Sequence, residues 1–130
     1  MSSEDLHVER ARLSDEARLL HYAITSLKEE LDAVDWYRQR ADDTEDAALK
    51  EILLHNMREE MEHASMVLEW LRRNNRDFAG HLETYLFTEA PIIAVERAAE
   101  AEGTPAKAPS VDTGAGDADG LTIGSLRPGA

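Results

Sequence analysis

Glu60-Met61-Glu62-His63 sets a carboxylate and an imidazole three residues apart. On a helix that spacing turns both side chains to one face. Glu30 lies upstream, in a stretch with the same 3.6-residue rhythm. At about 100° per residue, Glu30 falls among Leu19, Ala23, Ser26, Val34 and Tyr37. Glu60 falls among Leu49, Leu53, Asn56, Ala64, Val67 and Leu71. Each helix therefore points one carboxylate along its own apolar stripe. A carboxylate buried there without a partner costs several kcal/mol. It can be protonated, paired with Arg or Lys, or bound to a metal. No Arg or Lys shares either stripe, so a metal is the economical explanation. Carboxylate-bridged di-iron sites take one Glu from each of two helices and a Glu-x-x-His from each of two others. One copy of this chain carries half of that set, and a two-fold pair of chains carries all of it. Oxygen and imidazole donors suit Fe or Mn, and Zn is compatible.

Neighbouring residues have weaker claims. Tyr37 lies two turns beyond Glu30 on the same stripe, where its hydroxyl can reach a metal or a ligand, or its ring can simply pack. Glu29, Asp32 and Trp36 share an adjacent face at i, i+3 and i+7; they form either an outer cation path or a solvated surface. His55 points away from the Glu60 stripe. Trp70, Met57 and Met66 read as packing residues.

Two long helices must position these groups. Ser14 is suited to cap the first, with Asp15 and Glu16 in its first turn, and no Gly or Pro interrupts the pattern to about Arg40. "ADDTED" reads as a short turn in which Asp42, Asp43 or Thr44 caps a second helix, about Glu45 to Asn74. So short a link folds the two into an antiparallel hairpin. Asp77 is placed to cap a third helix ending near Phe87, and Pro91 to open another helical piece from Ile92 to about Ala101. Residues 1–13 read as a frayed terminus, 14–102 as the helical domain, and 103–120 as a Gly/Ala/Pro linker. The expected fold class is all-α. A two-helix hairpin cannot bury both its faces, so self-association is expected, into a four-helix bundle.

The 130 residues suffice for one domain. A net charge of −13 argues against nucleic acid and anionic membrane as partners and favours cations. The absence of cysteine excludes disulfides and thiolate metal sites. No apolar run approaches membrane-spanning length, and "MSSEDLHVER" does not read as a signal peptide, so a cytosolic location is expected.

Three blocks, "EELDAVDWYRQR", "HNMREEMEHASMVLEWLRRN" and "TYLFTEAPI", closely resemble the encapsulated ferritin family across roughly residues 18–95. The resemblance implies a two-helix ferritin-like protein with a further C-terminal helix, paired around a di-iron ferroxidase centre. It implies five such pairs in a ring-shaped decamer, Fe(II) oxidation, and iron storage inside a bacterial or archaeal encapsulin shell. In the family pattern the metal ligands fall on Glu30, Glu60 and His63, with Tyr37 nearby. An outer metal-attracting site falls on Glu29 and Asp32 beside Trp36. The family often has Glu where this chain has Asp32, whose shorter side chain keeps the charge but reaches less far.

The tail, "LTIGSLR", resembles the peptide that docks cargo on the inner wall of an encapsulin shell. Its residues are Leu121, Thr122, Ile123, Gly124, Ser125, Leu126 and Arg127. Leu121, Ile123 and Leu126 can enter apolar pockets of a partner while the backbone pairs there. Gly124 allows a bend, and Arg127 adds one charged contact. Three other functions compete: a di-metal oxidoreductase of another type, a metal-binding protein without turnover, and a structural adaptor of the shell.

Overall fold

A computed structural model of the chain describes residues 5–102; the linker and the tail peptide lie outside the described residues. Among the described residues the structure is all-helical, with α1 (Asp15–Asp43), α2 (Ala47–Asn74), α3 (Arg76–Tyr85) and α4 (Ile92–Ala101). A 3-10 turn, Arg10–Arg12, precedes α1. The chain divides into two compact units with the boundary between Leu71 and Arg72.

Ser14 caps α1 as expected, its hydroxyl accepting from the Ala17 amide at 3.0 Å. At 29 residues α1 is about 43 Å long. It runs through Asp42 and Asp43, which were expected in the turn. Acidic groups at a helix C-terminus oppose its dipole. Arg38, 3.5 Å from Asp42, offsets that here. Only three residues remain for the link, and the helix cap moves accordingly. Asp46, rather than Asp42, Asp43 or Thr44, accepts from the Leu49 amide at 2.8 Å, and α2 starts at Ala47. Thr44 tightens the same turn by accepting from the Asp46 amide at 3.1 Å.

Among the described residues ahead of α1, two arginines tie the chain to that helix. Arg10 donates to the Tyr22 hydroxyl at 2.5 Å, its guanidinium 5.6 Å from the ring centre. Arg18 donates to the Leu13 carbonyl at 2.7 Å and the Arg10 carbonyl at 3.1 Å, and pairs with Asp15.

The seam of the hairpin is narrow. Ala41 of α1 and Leu53, Met57, Ala64 and Leu71 of α2 are buried, and the α2 residues follow the expected stripe. Leu19 and Leu49, on the same stripes, stay 52% and 45% exposed. The periodicity located the right face, but two helices cover only the strip where they touch. Leu71 is wholly buried. Leu71→Ala removes its side chain from the tightest point of the seam and is expected to lower stability by about 2–5 kcal/mol, read as a lower urea midpoint with an unchanged m-value.

In the second unit, Asn75 caps α3 by accepting from the Phe78 amide at 2.8 Å. Asp77, the expected cap, sits instead in the first turn, where its charge suits the helix dipole. The helix stops at Tyr85, two residues short of the expected end, because Phe87 takes a left-handed backbone (φ 64°). Pro91 opens α4 as expected.

Candidate metal centre

Glu30 comes from the middle of α1, and Glu60 and His63 come from successive turns of α2. The hairpin brings all three together. His63 Nδ1 lies 3.2 Å from Glu60 Oε1 and 3.7 Å from Glu30 Oε1. One donor atom from each residue falls within 4.8 Å of the others. Two long helices joined by three residues can make this contact only by running antiparallel, which pairs mid-α1 with mid-α2.

The carboxylates do not sit in a closed core. The Glu30, Glu60 and His63 side chains are 27%, 23% and 41% exposed. The sequence pattern directed both glutamates into an apolar stripe, but on a hairpin that stripe has neighbours on one side only. The burial cost is therefore smaller than the sequence suggested. What remains unfavourable is the meeting of two like charges.

The two carboxyl groups answer that repulsion by shifting in opposite directions. A hydrogen bond to Glu60 raises the Glu30 carboxyl above its usual range, with burial and the Glu60 charge acting in the same direction. Glu60 is lowered, first by the hydrogen bond from Glu30, then by His63. His63 is raised by its hydrogen bond to Glu60. Of the two carboxyl groups Glu30 is thus the weaker acid, and Glu60 the one that faces His63 at 3.2 Å. In metal-free protein, the His63 ring titration followed by NMR is expected to have its midpoint above the ordinary 6.5. Glu60→Gln, which removes the negative charge that favours the imidazolium and leaves only a neutral acceptor, is expected to move it down.

This arrangement fits a divalent cation. A cation offsets the repulsion of the two carboxylates, and it meets two hard oxygen donors and an imidazole, a set suited to iron or manganese. All three donors come from one hairpin and stand partly exposed to solvent.

The other expected residues lie outside this cluster. Tyr37 is half-buried, with the Arg40 guanidinium 5.7 Å from its ring centre. Glu29 and Asp32 are exposed and contribute no donor atom to the group, and Trp36 is 52% exposed. His55 is a surface residue, 3.9 Å from Glu59. One feature escaped sequence reading. Next to the cluster, Leu19, Tyr22, Ala23 and Ser26 of α1 and Met66, Val67 and Trp70 of α2 line an open apolar groove of about 350 Å³. Met66 and Trp70 looked like packing residues, and the hairpin leaves them 57% and 38% exposed.

Comparison with known proteins places this geometry in context. The model of the EncFtn-like family matches residues 5–89. An encapsulated ferritin-like protein of Rhodospirillum rubrum is 51% identical over 127 residues, covering 97% of this chain and 90% of the relative. A ferritin-like protein of Thermotoga maritima is 47% identical, over 72% of this chain and 82% of that one. The encapsulin nanocompartment cargo protein EncC of Myxococcus xanthus is 36% identical, over 78% and 79% respectively. Among solved structures, protein ne0167 of Nitrosomonas europaea superposes with a TM-score of 0.65 at 52% identity, covering 67% of this chain and 96% of that one. With the family pattern matched along the helices and half of all residues shared with a relative along nearly the whole length, the chain belongs to the EncFtn-like family of encapsulated ferritins.

Proposed function

We propose that the protein is a ferroxidase that oxidises Fe(II) to Fe(III) at a centre completed by two chains, and that it serves as cargo of an encapsulin nanocompartment. The observation that carries this reading is the convergence of Glu30, Glu60 and His63 donor atoms within 4.8 Å. Half of a di-iron ligand set faces outward from the hairpin, so a second copy related by a two-fold axis supplies the other half. Relatives named as an encapsulated ferritin-like protein and as an encapsulin cargo protein support both parts of the reading.

Fe(II) enters as the substrate. The chain's net charge of −13 attracts it, and Glu29 and Asp32 extend that field outward beside the cluster. To bind iron, Glu30 and Glu60 must both be ionised and His63 must be neutral, so binding competes with protons. Glu60, flanked by both other ligands, is the bridging candidate, with Glu30 and His63 terminal. Anionic oxygen ligands favour Fe(III) over Fe(II) and so assist oxidation. A pair of irons supplies two electrons to O2 at once, avoiding one-electron products. Tyr37 lies along the stripe as a neighbouring polar group.

Apolar exposure supports assembly. Besides the groove beside the cluster, the opposite flank of the hairpin carries Ile24, Leu31 and Met61 at 38%, 53% and 46% exposure. Two apolar flanks on one hairpin favour association beyond a single pair, in keeping with a ring of five pairs. The centre would then work inside the shell, held there by Leu121–Arg127.

The test is aerobic oxidation of Fe(II) by the full chain, followed by absorbance. Many irons oxidised per chain, well above the buffer rate, are expected. Oxidation that stops once the bound iron is used would instead mark a metal-binding cargo without turnover, and none above buffer would leave a structural adaptor.

A further inference from the structure

We propose that Arg40 is a positioning residue for iron oxidation: its guanidinium holds the Tyr37 phenol in line with the cluster. This rests on the ferroxidase reading. Tyr37 follows Glu30 by seven residues, which is two turns and about 10.5 Å along α1, within about 20° of the same row. Long side chains on a helix lean towards its N-terminus. The phenol is therefore directed back along the cluster face, towards Glu30. Its side chain is half-buried, and its hydroxyl has no hydrogen-bond partner among the described residues.

Arg40 stands one turn further on, with its guanidinium 5.7 Å from the centre of the Tyr37 ring, within cation–π range. Acidic residues crowd this end of α1, yet Arg40 forms no ion pair among the described residues. Asp35 accepts from Gln39 at 3.0 Å, and Asp42 is 3.5 Å from Arg38. The Arg40 cation rests on the ring instead. Held there, it opposes rotation of the phenol away from the cluster and leaves the hydroxyl free to donate a hydrogen bond to an oxygen ligand at the centre. The contact lies within one helix, so it does not depend on an open surface and survives the pairing of two chains.

Three roles for Arg40 separate kinetically. As one charge in the field of a chain of net charge −13, it repels Fe(II), and its loss lowers KM without changing kcat. As a cation in the last turn of α1 it suits the helix dipole, an effect independent of the Tyr37 hydroxyl. As a positioning residue it acts on kcat, and only through that hydroxyl.

The test is aerobic Fe(II) oxidation by the full chain across a range of iron concentrations. Wild type is compared with Arg40→Met, which keeps the stem without the charge, and with Arg40→Lys, which keeps a cation. Tyr37→Phe is measured alone and combined with Arg40→Met. The expected result is a severalfold lower kcat in Arg40→Met with KM little changed, and partial recovery in Arg40→Lys, whose cation is not planar. In the Tyr37→Phe background, Arg40→Met should cause no further loss. Full activity in Arg40→Met, a lower KM with unchanged kcat, or an equal loss in both backgrounds would overturn the inference and leave the ferroxidase reading standing. Failure of the wild type to oxidise Fe(II) above the buffer rate would remove both.

Discussion

Glu60→Ala is expected to bring Fe(II) oxidation in air down to the uncatalysed rate while leaving the helices intact. Glu60 has the most contacts within the cluster: it accepts from His63 at 3.2 Å and shares a hydrogen bond with Glu30. Losing a residue that merely supports a metal ligand typically costs about 10- to 100-fold in affinity or activity, and losing a ligand itself, as proposed for Glu60, is expected to exceed that. Stability should move the other way or not at all. Alanine is a better helix former than glutamate, and the substitution ends the repulsion between two carboxylates. With Glu60 gone, the Glu30 pKa is expected to fall back towards its ordinary value of 4.5, since its chief cause of elevation is removed. The informative combination is therefore lost oxidation with an unchanged or raised melting temperature. Lost oxidation together with a collapsed fold would make Glu60 structural, and retained oxidation would remove the cluster from the chemistry.

Removal of residues 121–130 is expected to have an equally large effect on a different property. The truncated chain should oxidise iron at the full rate, because Glu30, Glu60 and His63 all lie within the helical hairpin. It should no longer co-purify with encapsulin shell when the two are produced together. Leu121, Ile123 and Leu126 are the only large apolar residues after the linker begins, apart from Val111, so deletion takes away nearly all the surface a partner could bury. Several tails on one assembly would bind in concert, and a mixed assembly with a few intact tails should therefore still load. Loading of the fully truncated chain would reject the tail's role. The shell would then have to recognise the helical body itself.

Periodicity alone was enough to place the two long helices, their apolar faces, and Glu30, Glu60 and His63 on those faces, because a 3.6-residue repeat is a property of local chain geometry. Ser14 and Pro91 were legible for the same reason: a cap or a helix-opening proline acts within a few residues. Where several candidates stood side by side, local rules could not choose. Asp46 capped α2 in place of three nearby residues, and Asn75 took the position expected of Asp77. Each choice depends on how far the preceding helix continues, and that is set by packing along its whole length. Arg10 reaching Tyr22 was invisible in sequence, because it requires the chain to turn back on α1.

The candidate metal site divides along the same line. The chemistry of its donors was written in the residue types and their spacing. That Glu30 meets His63 at 3.7 Å within one chain, that Glu60 pushes the Glu30 carboxyl above its usual range, and that the whole group stands partly open to solvent are consequences of the hairpin register. Register is a long-range property, set by which side chains interlock along the seam, and no window of sequence short enough to read by period contains it.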